Sequence, residues 1–294
     1  MKTDYIEFKK QRELGDVLSD SFGFLRSQFK PLLTTFFKIV SPYILIMLIS
    51  SGLYFYVLNS IFDFNIESPN EFYSVLLTIV LVISVIISAI VTIIMSQSSI
   101  LYFIESYIDN NGKTHFSEIK KKVYQNFWNF FGLFSLFVLS VGIGILFCCI
   151  PGIFLYVPLS LAFAVYAFSK KGVIESYNYC FKLVKDEWWI TFATLLIIGI
   201  IIAVAGIALS MPATMYSWIK VITSAGEYDA ESTPFSIFLD PIYIILYLAS
   251  IIFRFVLNII IIIAGAFIYF NLNEKKNFTG TYERIDNLGE IRDN

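Results

Sequence analysis

The sequence is poor in the residues that build metal centres and disulfide frameworks. Its 294 residues include three Cys and a single His, His115. Cys148 and Cys149 are neighbours, whereas Cys180 lies in a different segment. Three Cys and one His are too few for a Cys/His metal site and argue against a disulfide scaffold. The sequence also shows no phosphate-binding loop and no nucleophile–base pair. We therefore expect no metal, no cofactor and no enzymatic activity.

Charged residues are also scarce. Only 15% of the chain is charged, whereas 57% is hydrophobic. A soluble domain carries about 25% charged residues. No Lys or Arg occurs between Phe55 and Lys113. Scarce charge combined with long apolar runs predicts an all-α, polytopic membrane helix bundle.

Six apolar runs are long enough to cross a bilayer core of about 30 Å. They are Leu32–Leu58, Val75–Tyr102, Phe127–Cys149, Gly152–Phe168, Trp188–Met211 and Pro241–Phe270. The fourth run is short and contains Pro158, which predicts a kinked helix whose freed carbonyl is satisfied by a neighbouring helix. Close contacts between helices are predicted at four glycines: Gly142, Gly144, Gly199 and Gly206.

The basic residues lie on one side of the predicted spans. All of the 21 Lys and Arg residues except Lys220 and Arg254 flank span ends on the same side as the N-terminus. Because cytoplasmic loops carry an excess of Lys and Arg, both termini are predicted to be cytoplasmic. Anionic lipid headgroups explain basic residues next to spans, so we expect the lipid bilayer, and not nucleic acid, as their partner. A protein partner or a homo-oligomer is left open.

Three cytoplasmic segments show helical amphipathicity, near residues 12–30, 115–127 and 172–186. The first has apolar residues at three-and-four spacing: Leu14, Val17, Leu18, Phe22, Leu25 and Phe29. We predict helices that lie in the membrane interface with their apolar faces toward lipid. The predicted membrane domain covers residues 1–272. Residues 273–294 form a cytoplasmic tail that docks on the bundle, binds a partner or stays disordered.

The first and third amphipathic segments resemble each other. Asp20-Ser21-Phe22 aligns with Glu175-Ser176-Tyr177. This alignment predicts three helix-hairpin repeats, each an interfacial helix followed by two spans. The alternative is that any cytoplasmic helix preceding a span has this pattern.

Arg254 lies near the middle of the last predicted span. A charge at the bilayer centre costs about 2.5 to 3.5 kcal/mol on insertion scales, so Arg254 must contact protein, water or a lipid phosphate. Asn258 follows one turn later, and Gln97 and Glu105 are polar residues of the second span. These four residues define the candidate intramembrane polar or lipid site. Arg254 has three open roles: bonding helix carbonyls structurally, binding a ligand or lipid headgroup, or contacting a partner subunit.

Four motifs of the chain resemble a known family. They are Leu14–Phe22 (LGDVLSDSF), Pro151–Ser160 (PGIFLYVPLS), Glu175-Ser176 and Lys185–Trp189 (KDEWW). They resemble the membrane domain associated with some bacterial glycerophosphoryl diester phosphodiesterases and its stand-alone relatives. The resemblance implies a six-span protein of the bacterial inner membrane. The soluble catalytic barrel and its metal-binding His, Glu and Asp set are absent from this sequence, so the resemblance implies no phosphodiesterase activity.

These patterns favour a non-enzymatic inner-membrane protein that organises or stabilises a membrane assembly. The alternative is a transporter or lipid-handling protein with a polar site around Arg254. Stable protein partners would favour the first function, and lipid or solute held beside Arg254 would favour the second.

Overall fold

A computed structural model of the protein describes residues 5–62, 71–147, 149–224 and 240–290. These residues form α-helices joined by short connections, and no strand occurs among them. The helices are α1 (Leu14–Ser27), α2 (Phe29–Phe62), α3 (Glu71–Asp109), α4 (Phe116–Gln125), α5 (Phe127–Phe147), α6 (Cys149–Ser160), α7 (Ala162–Ser169), α8 (Val173–Val184), α9 (Trp188–Ser224), α10 (Pro241–Asn277) and α11 (Thr279–Glu290). The predicted all-α class is confirmed.

Six helical segments of the described chain are long and apolar enough to cross a membrane. Their bounds are Phe29–Val57, Val75–Asp109, Phe127–Phe147, Cys149–Ser169, Val173–Thr223 and Pro241–Asn277. Each contains most of one predicted run, in the same order. The protein is therefore a multi-pass α-helical membrane protein.

The helix order follows the predicted repeat. A short amphipathic helix precedes two spanning segments three times: α1 before α2 and α3, α4 before α5 and α6–α7, and α8 before α9 and α10. The middle copy is shorter, since α5 has 21 residues whereas α2 and α9 have 34 and 37. The last span is longer than predicted, because α10 continues to Asn277. The predicted boundary between residues 272 and 273 thus falls inside α10.

The chain divides into two compact units. The first contains residues 1–39, 94–200 and 259–294, and the second contains residues 40–93 and 201–258. The core of the first unit is aromatic: Phe8 stacks on Phe267 with ring centroids 4.2 Å apart, and Phe24 meets Tyr107 edge-on at 5.0 Å. All four side chains are buried. The segment before α1 is therefore part of this core.

Small polar side chains link the helices of the second unit. The hydroxyls of Ser50 on α2 and Ser84 on α3 are 3.3 Å apart. Ser250 on α10 donates to the backbone carbonyl of Leu209 on α9 at 3.4 Å. Such hydroxyls are the usual hydrogen-bonding residues between helices in a membrane, where no water competes for them.

The fourth span is broken as predicted. Pro158 has no backbone N–H, so the carbonyl of Phe154 loses its donor within the helix. The indole Nε1 of Trp188, at the start of α9, donates to that carbonyl at 3.3 Å. The span continues as α7 after a turn at Leu161. A neighbouring helix thus satisfies the freed carbonyl, which confirms the predicted kink.

Candidate functional site

The four residues of the predicted polar site fall in different units. Arg254 and Asn258 belong to the second unit and are exposed on α10. Gln97 and Glu105 belong to the first unit and are half-buried on α3. Exposure of Arg254 favours contact with lipid or a partner over a buried structural role.

Glu105 anchors the second amphipathic helix. Its Oε2 lies 2.8 Å from Nζ of Lys122 on α4. The chain returns from α3 to α4 through Asn111 and Gly112, whose φ angles are 49° and 93°. Gly112 also donates its N–H to the carbonyl of Tyr107 at 2.8 Å, which ends α3. Glycine takes this left-handed conformation without a steric penalty.

Asn126 connects α4 to the kinked span. Its Nδ2 donates to the carbonyl of Lys122 at 2.9 Å, and its Oδ1 accepts from the hydroxyl of Tyr166 on α7 at 2.8 Å. Asn129 donates to the same hydroxyl at 2.7 Å. With Glu105 and Lys122, these side chains form a polar network at the ends of α3, α4 and α7. Its contacts hold helices together, and the described residues contain no group of His, Cys, Asp and Glu able to hold a metal.

Helix α1 has three flanks of different character. The first flank is buried in the protein and contains Val17, Ser21 and Phe24. The second is apolar but partly exposed, with Phe22 40% exposed, and contains Leu14, Leu18, Phe22 and Leu25. The third is polar and exposed and contains Asp16, Ser19 and Arg26. The predicted apolar face is thus split, because Val17 packs against protein while Phe22 faces outward.

Helix α8 repeats the arrangement of α1. Its buried flank contains Ser176, Cys180, Leu183 and Val184. Its outward apolar flank contains Val173, Ile174, Tyr177 and Phe181, with Ile174 71% exposed. Its polar flank contains Glu175, Asn178 and Lys182, and Lys185 follows directly after the helix. Ser21 and Ser176, paired in the sequence alignment, are both buried.

Arg12 is a buried residue that the sequence did not single out. Its side chain is 0% exposed and its Nε donates to Oδ2 of Asp20 at 2.8 Å. The guanidinium also donates to the carbonyls of Glu7, Phe8 and Lys10 and lies 4.6 Å from the ring centroid of Phe267. Burial lowers the pKa of Arg12, and the bond to Asp20 opposes that shift. Arg12 stands among other charged and polar residues of the N-terminal segment (Lys9, Lys10, Gln11 and Glu13), so no local signal marks it as buried.

The C-terminal helix docks on the N-terminal segment. Glu274, at the end of α10, accepts hydrogen bonds from the N–H groups of Gly280 and Thr281 at 2.7 and 2.9 Å. A carboxylate at a helix N-terminus satisfies donors that have no partner in the helix. Glu283 pairs with Lys9, and Arg284 donates to the Lys9 carbonyl at 2.9 Å. Of the three predicted states of the tail, the described part of α11 adopts the docked one.

Docking leaves another face of α11 outward. Tyr282 is 63% exposed and Ile285 is 57% exposed. Both lie after the last spanning segment, which ends at Asn277. They stand three positions apart on the helix, and aromatic residues such as tyrosine are enriched in protein interfaces.

No family model matches the chain, and neither the curated proteins nor the solved structures contain a match to it. The resemblance to the membrane domain of glycerophosphoryl diester phosphodiesterases remains a prediction from the quoted motifs.

Proposed function

We propose that this protein is a non-catalytic component of the bacterial inner membrane that organises or stabilises a membrane assembly. In this proposal both termini are cytoplasmic, α1, α4 and α8 lie in the cytoplasmic interface, and α11 binds another protein or a second copy of the chain.

The outward face of α11 carries the proposal. Glu274, Lys9 and the N-terminal segment hold one side of this helix, so the exposed Tyr282 and Ile285 are presented on a fixed support. A preordered aromatic anchor loses little conformational entropy on binding, which favours affinity for a partner. Tyrosine is also among the residues that most often dominate protein interfaces.

The three flanks of α1 and α8 support the membrane part of the proposal. In each helix the protein covers one flank, which leaves an apolar flank for lipid and a polar flank for headgroups and water. A helix lying in the interface plane has this distribution of side chains.

A second candidate function is lipid handling, and one observation favours it. Arg254 and Asn258 are exposed together, one turn apart on α10, and their neighbours Ile252 and Phe253 are exposed and apolar. An Arg at this position requires an anionic or polar contact, which a lipid phosphate supplies.

The test is to extract the tagged full chain from its native membranes into lipid nanodiscs and to measure bound proteins and lipids by quantitative mass spectrometry. We expect a stoichiometric protein partner, or a second copy, with the wild type. A double variant that carries both Tyr282→Ser and Ile285→Ser should retain less bound partner, by a factor on the order of ten or more. Loss of an aromatic interface anchor has an effect of this size.

Tyr282→Phe is the matched control and should keep the partner, because it keeps the ring. A chain that purifies alone, or a double variant with undiminished partner, would contradict the assembly function. Anionic lipid that is retained by the wild type and lost in Arg254→Gln would support lipid handling instead.

A further inference from the structure

A groove lies beside the kink of the fourth span. Phe154 and Pro158 line it from α6, Phe181 and Val184 from α8, and Trp188 from the start of α9. Lys182 and Lys185 complete its lining, and its volume is about 340 Å³. All of these residues belong to the first unit. We call this feature the Phe154–Trp188 groove.

The kink at Pro158 helps to fix Trp188, one residue of the apolar wall of the groove. Trp188 donates its indole N–H to the carbonyl that Pro158 leaves free, at 3.3 Å. Its ring stacks on Phe154 with centroids 5.4 Å apart and on Phe192 at 5.3 Å. Stacking and a hydrogen bond together restrict the indole, so the wall does not need to be ordered by a ligand.

The two lysines of the groove, Lys182 and Lys185, have no carboxylate partner among the described residues. Asp186 lies 3.7 Å from Lys276, and Glu187 lies 3.0 Å from Lys275, so the two nearest carboxylates along the chain are paired elsewhere. Neither Lys182 nor Lys185 makes an ion pair within the described part of the chain. Lys182 lies on the polar flank of α8, Lys185 follows directly after this helix, and both line the groove together with its apolar residues.

This combination identifies the ligand by its chemistry. Two lysines attract a negative charge, and the aromatic wall accepts hydrocarbon. Trp188 begins α9 directly after the charged turn Lys185–Glu187, and Trp is enriched where membrane helices meet the headgroup region. We propose that the Phe154–Trp188 groove binds one anionic phospholipid, with its phosphate at Lys182 and Lys185 and an acyl chain against Phe154 and Pro158.

The experiment is native mass spectrometry of the purified full chain titrated with dioleoyl-phosphatidylglycerol or dioleoyl-phosphatidylcholine. The wild type should retain phosphatidylglycerol in preference to phosphatidylcholine. A double variant with both Lys182→Gln and Lys185→Gln should bind phosphatidylglycerol with lower affinity, by about fivefold for each lysine removed. This is the usual contribution of a basic residue near an anionic headgroup. Binding of phosphatidylcholine should not change.

Lys120→Gln with Lys121→Gln is the matched control. These two lysines are exposed on α4 and, like the groove pair, make no ion pair with any residue that the structure describes. As lysines of an interfacial helix outside the groove, they attract anionic lipid only in general, so the control should keep the single phosphatidylglycerol that the wild type retains. Both double variants should keep the wild-type unfolding temperature. The proposal would be overturned if both double variants lost phosphatidylglycerol binding equally or if neither lost it. It would also be overturned if the wild type bound the two lipids equally. The groove does not include α11, so this result is independent of the partner measurement.

Discussion

At the scale of single residues, two arginines have opposite environments. Arg12 is enclosed by Asp20, three backbone carbonyls and the Phe267 ring, whereas Arg254 is exposed on an apolar helix. The planar guanidinium, with several donors in fixed directions, suits the site around Arg12, and the single ammonium of a lysine does not. Arg12 therefore orders the N-terminal segment that receives α11.

The substitution Arg12→Gln should lower the free energy of unfolding by about 1 to 3 kcal/mol, because it leaves buried carbonyls without donors, whereas the partly exposed Asp20 keeps Lys10 at 3.6 Å. Arg12→Lys should recover only part of this loss. The measurement is thermal unfolding of the detergent-solubilised variants. Arg26→Gln, at an exposed position on α1, is the control and should stay within about 0.5 kcal/mol of the wild type. Equal unfolding temperatures for Arg12→Gln and Arg26→Gln would show that the buried cluster is not stabilising.

At the scale of helices, the hairpin of α5 and α6 depends on the close approach of the two backbones around Gly144 and Gly152. A Cβ added to Gly144 would lie 2.9 Å from the Cα of Gly152. At Gly142 and Gly199 an added Cβ would meet nothing within 4 Å. At Gly206 it would lie 3.9 Å from Leu257, which is an ordinary contact. Of the four predicted close contacts, the one at Gly144 is confirmed and those at Gly142, Gly199 and Gly206 are wrong. The short spacing of these glycines did not reveal which of them faces the other helix.

Gly144→Ala should destabilise the protein by about 1 to 3 kcal/mol, the usual cost of overpacking a tight contact. Gly142→Ala, two residues away, should be neutral or stabilising, because Ala has the higher helix propensity and the space is open. Thermal unfolding of both variants measures the difference. The same decrease in both would mean that helix flexibility, and not the contact with Gly152, explains these glycines.

At the scale of the whole molecule, the charge pattern and the number of spans both predict that the two termini lie on the same side of the membrane. Six spanning segments return the chain to the side on which it began. Helices α1 and α4 precede the first and third spanning segments, and α8 forms the start of the fifth, Val173–Thr223; all three lie next to basic clusters. Both termini are therefore predicted to share the cytoplasmic side with α4 and α8.

Single cysteines introduced into a Cys-free background test this topology. In intact cells, cysteines at Glu67 and Tyr228, which lie outside the described residues, should react with an impermeant thiol reagent. Cysteines at Lys121, Lys171 and Glu283 should react only after the membrane is permeabilised. The opposite labelling would invert the topology, and labelling on mixed sides would contradict six spans.

The sequence by itself determined the number and order of the spans, the amphipathic helices and the kink at Pro158. These features depend on runs and spacings within one segment, where side-chain periodicity and the missing proline N–H act locally. The tertiary structure alone decided the burial of Arg12, the indole bond of Trp188 and the docking of α11. Arg12 donates its backbone N–H to Asn271, a residue 259 positions away. Local pattern carries no information on such pairs, because their energy depends on which distant groups the folded chain brings within hydrogen-bond distance.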